Sequence, residues 1–267
     1  MKKTSIFAIA MAALVFAACG GNKNVKSAET EADSLKSFEQ EQIEASIKMH
    51  VDSIAAEFGK LQQPIFQKEG DAIKLTNEEK QVKPDYLLAP AVADNATTLA
   101  EKYRAVSALS VDKQIAKLYD MPIEDYDKAI AKLAADINDP SFKALDSEAS
   151  IYETTTTLYD EMEKNGRINY FWQLAAATLV EQLYVINQNE EKFLASLNDE
   201  AASNITFRVV MILDAVNRLS QYDPDIQPVA QALAPLDVLN ATSVGELKDQ
   251  MAEAKDKIIA ARNALVK

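Results

Sequence analysis

Between about residues 37 and 62 the apolar residues Ile43, Ile47, Val51, Ile54, Phe58 and Leu61 step by 4, 4, 3, 4 and 3. That spacing places them on one stripe of a helix. The same period returns over about 94–119 (Leu99, Tyr103, Val106, Leu109, Ile115, Leu118) and over about 122–138 (Ile123, Tyr126, Ile130, Leu133, Ile137). It returns again over about 200–222 (Ile205, Val209, Ile212, Val216, Leu219). A fourth helix is expected over about 144–164, weakened by the β-branched run Thr154 to Thr157 and stopped by Asn165-Gly166, where glycine can take the left-handed cap. Shorter pieces are expected at about 189–198 and 225–239. Ser243-Val244-Gly245-Glu246 reads as a capping box opening a last helix, with Val244, Leu247, Met251, Ala254, Ile258, Ala261 and Leu265 on one face.

The segment Ile168 to Asn187 differs from all of these. Its 20 residues carry one charged side chain, Glu181, and it is apolar almost all round. A helix of that kind is surrounded by others. It is a poor membrane span, because Asn169, Gln173, Glu181 and Gln182 interrupt it. Phe171, Leu174, Leu179, Leu183 and Ile186 are therefore expected in the core. The eight prolines (Pro64, Pro84, Pro90, Pro122, Pro140, Pro224, Pro228, Pro235) fall mostly where the helical period stops or starts. Residues 63–92 lose the period and form the longest irregular stretch. No convincing alternating strand and no repeat signature appears. The expectation is an all-α fold: one helical bundle over residues 38–267, of about seven to nine helices around the central helix 168–187.

Composition then removes chemistry. The chain has one Cys and one His, so it can hold no internal disulfide, no Cys zinc cluster and no two-histidine site. Its six glycines are too scattered for a phosphate-cradling loop. A net charge of −13, with no dense basic run, argues against nucleic acid as a partner.

The N-terminus carries an address. Lys2 and Lys3 precede the uncharged run Ile6 to Ala18, too short to span a bilayer, so residues 1–18 read as a signal peptide. The run closes in Phe16-Ala17-Ala18-Cys19-Gly20, which resembles the lipobox of bacterial lipoproteins, with Phe16 where a Leu is usual. The resemblance implies cleavage before Cys19, diacylglycerol on its sulfur and an acyl chain, such as palmitate, on the new N-terminus. Two or more acyl chains anchor a protein firmly. Loss of residues 1–18 would take the net charge from −13 to −15, so anionic lipid would repel the body and the acyl chains must hold it. Residues 19–37 then read as the lipidated Cys and a small, polar tether with a span of roughly 23 Å as a coil. Gly20 is not Asp, and no acidic residue precedes Glu29. By the same resemblance both features favour the periplasmic face of the outer membrane. In style the chain is similar to the helical lipoproteins of Bacteroidota.

Candidate sites are few. Glu181 shares one side of its helix with Gln173, Ala177, Tyr184 and Gln188. A buried carboxylate must be paired or raise its pKa. It could act as an acid, bind a cationic ligand, or form a structural pair with an arginine such as Arg208 or Arg104. Trp172, with Tyr170, Phe171, Tyr152, Tyr159 and Tyr184, could line an aromatic ligand pocket or simply pack. His50 sits at the flank of the first stripe and reads as a boundary residue without a nucleophile. The acidic pairs Glu78-Glu79, Glu124-Asp125 and Glu190-Glu191, with Glu39 and Glu41, read as solvated faces or helix N-termini. None, nor Asp223-Pro224-Asp225, has calcium-loop spacing. The expectation is a non-enzymatic envelope lipoprotein that presents a helical domain to a protein partner, with no metal and no cofactor. The alternative is a carrier or sensor for an apolar or amphipathic small molecule held between helices.

Overall fold

The computed structural model describes residues 26–58, 75–144, 155–195 and 197–266. Cys19, Tyr152 and most of the irregular segment 63–92 lie outside the described residues. Among the described residues there is no strand, and the fold is all-α. The chain divides into two units, residues up to Ile43 and a compact body from Glu44 onward.

Helix α1 (Lys26–Phe58) begins eleven residues before the expected Ser37, inside the stretch read as a tether. No Gly or Pro interrupts Lys26 to Phe58, and Ala, Glu and Lys there are strong helix formers. The body then continues with α2 (Asn77–Gln81), α3 (Val92–Asn95), α4 (Leu99–Leu118) and α5 (Glu124–Ile137). After a 3₁₀ turn at Pro140–Ala144 come α6 (Thr155–Lys164), α7 (Ile168–Gln188) and α8 (Glu190–Leu194). Then follow α9 (Asp199–Leu219), α10 (Gln227–Leu233), a second 3₁₀ turn at Ala234–Val238 and α11 (Val244–Leu265). Eight of these α-helices have seven residues or more. The short α2, α3 and α8 fall below the window in which periodicity is legible.

Local signals account for most of the boundaries. Thr98 caps α4 with a complete capping box: its hydroxyl accepts from Glu101 N–H, and the Glu101 carboxylate accepts from Thr98 N–H. Thr76 and Glu79 do the same for α2. At α11 the expected box is half formed, because the Ser243 hydroxyl accepts from Glu246 N–H while the Glu246 carboxylate takes Thr242 N–H and its hydroxyl instead. Asn138 closes α5 at φ 49°, and Gly166 separates α6 from α7 at φ 67°. That left-handed backbone is one glycine adopts without steric cost and asparagine tolerates. The described part of α6 starts at Thr155, so its threonines sit in the first turn, where β-branching costs less than in the interior.

α7 is the central helix. It packs against α4, α6, α8, α9, α10 and α11. Phe171, Leu174, Leu179, Leu183 and Ile186 are all buried, as its sequence requires. No described helix is long and apolar enough to cross a membrane. The apolar stripes of α9 and α11 face this core: Ile205, Val209, Ile212, Val216 and Leu219 on one, Leu247, Met251, Ala254, Ile258, Ala261 and Leu265 on the other.

Candidate functional site

The polar side of α7 faces α4 and α11, and two layers of polar side chains cross that seam. The lower layer contains Glu181. Arg262, on α11, donates from Nε to both carboxylate oxygens at 2.9 Å and from Nη2 to Oε1 at 2.7 Å. The guanidinium carbon lies 3.9 Å from the centroid of the Tyr184 ring, one turn along α7 from Glu181, a cation–π contact. Arg262 Nη2 also stands 3.8 Å from Asp112 Oδ2, on α4. Glu181 and Asp112 are 1% and 0% exposed.

This layer also fastens the irregular segment before α3. Leu88 N–H donates to Asp112 Oδ2 at 2.6 Å, and Arg262 Nη2 donates to the Tyr86 carbonyl at 3.2 Å. The Tyr126 hydroxyl, from α5, donates to the Leu88 carbonyl at 2.8 Å. The Lys83 ammonium donates to the Tyr119 carbonyl. Residues 83–88 thus have their backbone groups met by side chains and end groups of the helical body, as a loop lying on a buried surface requires.

Two carboxyls share one guanidinium here, in a place without water contact. Burial, together with the neighbouring Glu181, holds Asp112 well above the usual carboxylate range. Burial also raises Glu181, with Arg262 opposing the rise. Burial works to lower Arg262, but the Glu181 and Asp112 carboxyls outweigh it. Asp112 is therefore the carboxyl that keeps its proton, and Glu181 is the ionised partner of Arg262. Asp112 Oδ1 has no acceptor or donor partner as a carboxylate. A proton on it, shared with Glu181, supplies the missing bond. Burial and the same two carboxyls push Tyr126 up to about 12. The cluster is built to hold a proton and a charge pair inside the fold.

Glu181 is thus paired, but with neither Arg208 nor Arg104. Arg104 belongs to the upper layer, where Nε donates to the Leu265 carbonyl at 2.8 Å and Nη1 to Gln173 Oε1 at 2.6 Å. Gln173 in turn donates to the Asp225 carbonyl at 2.8 Å. The pairs Arg104–Gln173 and Asp112–Glu181 have the same sequence offset, so α4 and α7 run parallel in one register.

Tyr184 joins Glu181 through Arg262, but Trp172 does not. Trp172 lies nine residues earlier on α7, about 13 Å along the axis. It is fully buried with its ring edge-on to Phe171 at 5.2 Å, and Phe171 meets Tyr159 at 5.0 Å. Tyr170 instead stacks on Tyr103 at 4.8 Å. Tyr103 donates to Asp139, which Arg167 approaches at 3.5 Å. The described aromatic residues thus form separate stacks rather than one lining. His50 is half-buried, with Nε2 2.9 Å from Asp214 Oδ2, and Asp214 also accepts from Arg218 at 3.0 Å. This joins α1 to α9. Glu78-Glu79, Glu124-Asp125 and Glu190-Glu191 lie in the first turns of α2, α5 and α8. Among the described residues no three acidic, His or Cys side chains gather as a metal site.

Asp112, Arg262 and the Arg104–Gln173 pair were not singled out by sequence reasoning. Each charged residue carries the signal that marked Glu181, a charge inside an apolar stripe. Asp112 lies between Ala108 and Ile115, Arg262 between Ile258 and Leu265. Comparison with protein-family models, curated proteins and solved structures returned no match.

Proposed function

We propose that the chain is an envelope lipoprotein, anchored through acylated Cys19 at the periplasmic face of the outer membrane, that presents its helical body to a protein partner without catalysing a reaction. The observation that carries the reading is in the sequence: a single Cys, placed directly after a signal-like run and two alanines. The body is compatible with such a role. Its candidate acid, Glu181, is closed into an internal ion pair. Phe207 and Val210 stand out on α9 at 47% and 50% exposure, one turn apart on one face.

Two measurements test it. A Cys19→Ser variant leaves the carbonate-washed membrane fraction and loses incorporation of labelled palmitate; firm membrane retention of that variant contradicts the anchor. A photo-cross-linking residue at position 207 or 210, in cells, gives a discrete protein adduct that the same residue at exposed position 82, on the irregular segment, does not. Identical adduct patterns at all three positions contradict presentation of α9.

A further inference from the structure

Arg104 is 7% exposed, yet among the described residues it makes no ion pair. Its two hydrogen bonds go to neutral acceptors, the Leu265 carbonyl and Gln173 Oε1, and use Nε and Nη1. Nη2 has no protein acceptor and is not among the sealed, unsatisfied atoms of the interior. Glu101 and Asp225 act on the guanidinium only from a distance. A guanidinium taken out of water in this way lacks the counter-charge that normally accompanies it.

Arg104 lines a pocket between α3, the start of α4 and the end of α11. The pocket has about 260 Å³ of empty space, part of it open to solvent. Its enclosed part takes a group the size of one water molecule. Val92, Ala96, Ala105, Leu265 and Val266 form apolar walls, and the exposed Asn95 offers an amide at the rim. Such walls strengthen any charge interaction inside them.

We propose that this pocket binds one carboxylate group, held by Arg104 Nη2, with the rest of the ligand outside the mouth. A carboxylate matches the planar guanidinium edge and is small enough to enter. Glu101 sets the charge limit. Its Oε2 accepts from Thr97 N–H at 3.0 Å, the Thr97 hydroxyl at 2.8 Å and Thr98 N–H at 2.9 Å. Those bonds keep it ionised, and it lines the same pocket. A monoanion is tolerated beside it, whereas a phosphate dianion is repelled. This site lies on α3, α4 and α11 and does not depend on the anchoring reading.

The test is titration of the full chain with sodium acetate, and separately with N-acetylalanine as a peptide-type carboxylate, following arginine side-chain Nε–H resonances. Sodium chloride at equal ionic strength and acetamide are the controls. The proposal expects a saturable shift of the Arg104 resonance with at least one of the two carboxylates and with neither control, while Arg262 stays still. Saturation by N-acetylalanine alone identifies a peptide terminus as the source; saturation by both identifies the carboxylate itself as what is read. Arg104→Gln weakens binding about tenfold or more. Glu101→Gln, which keeps an acceptor for the cap, tightens it. The proposal is overturned if neither carboxylate saturates, if chloride or acetamide does as well, if Arg104→Gln binds as wild type, or if Glu101→Gln binds no tighter.

Discussion

The two polar layers between α4, α7 and α11 share their helices and differ in charge. Around Glu181 there are two carboxyls to one guanidinium, and the layer balances itself by keeping a proton on Asp112. Around Gln173 there is one guanidinium and no carboxylate, and Arg104 is met by two neutral acceptors. The first layer is closed: every partner belongs to the chain, and it fastens residues 86–88 to the body. The second is open on one side, towards a pocket. The contrast shows that a charge buried in a helical seam can be a lock or a receptor, depending on whether the chain itself supplies the counter-charge.

Removing a cation should separate the layers most sharply. Arg262→Ala leaves Glu181 buried without its partner and is expected to cost about 3–5 kcal/mol in urea denaturation. The amide of Leu88 should then exchange faster with solvent, because the segment loses its bond from Arg262 to the Tyr86 carbonyl. The helix that carries both layers can be probed apart from their charge. Leu179→Ala, fully buried in α7, should cost about 2–5 kcal/mol; a loss under about 1 kcal/mol would remove α7 from the centre of the fold. Arg104→Met should cost less than Arg262→Ala, about 1–3 kcal/mol, since it orphans two neutral acceptors rather than a carboxylate. Equal losses at positions 104 and 262 would erase the distinction between closed and open layers.

The sequence made α7 legible because its apolar surface runs all round, and Glu181 stood out against it. Its partner was not legible. α11 carries several Lys, Arg, Asp and Glu side chains, and which of them meets Glu181 depends on the register between α7 and α11, which helical period alone does not fix. The same limit applied to Asp112, hidden beside Lys113 in a helix with a charged face. The start of α1 was missed for a different reason. A stretch without apolar period can still be helical when Ala, Glu and Lys dominate and no Gly or Pro breaks it. The aromatic cluster was legible as core, but its division into separate stacks comes from α4 and the 3₁₀ turn after α5, which send Tyr103 and Phe142 to one side.

The central claim is that the lower layer is locked by a proton on Asp112. Its folded-state pKa is raised above the unfolded value, so between those two values the native state binds more protons than the unfolded one. The contribution of this group is complete below the ordinary value of about 3.9 and is lost as pH rises towards the raised value, by at most about 1.4 kcal/mol per pH unit. Asp112→Asn mimics the protonated acid: its amide can donate to Glu181 and accept from Leu88 N–H, without a charge to lose. The direct measurement is the unfolding free energy of wild type minus that of Asp112→Asn, followed from pH 4 upward, in which the many other carboxylates cancel. The account predicts that this difference falls steadily against wild type as pH rises. A difference that is flat with pH, or that grows in favour of wild type, would mean that Asp112 is ionised in the fold and that the lock is not a proton.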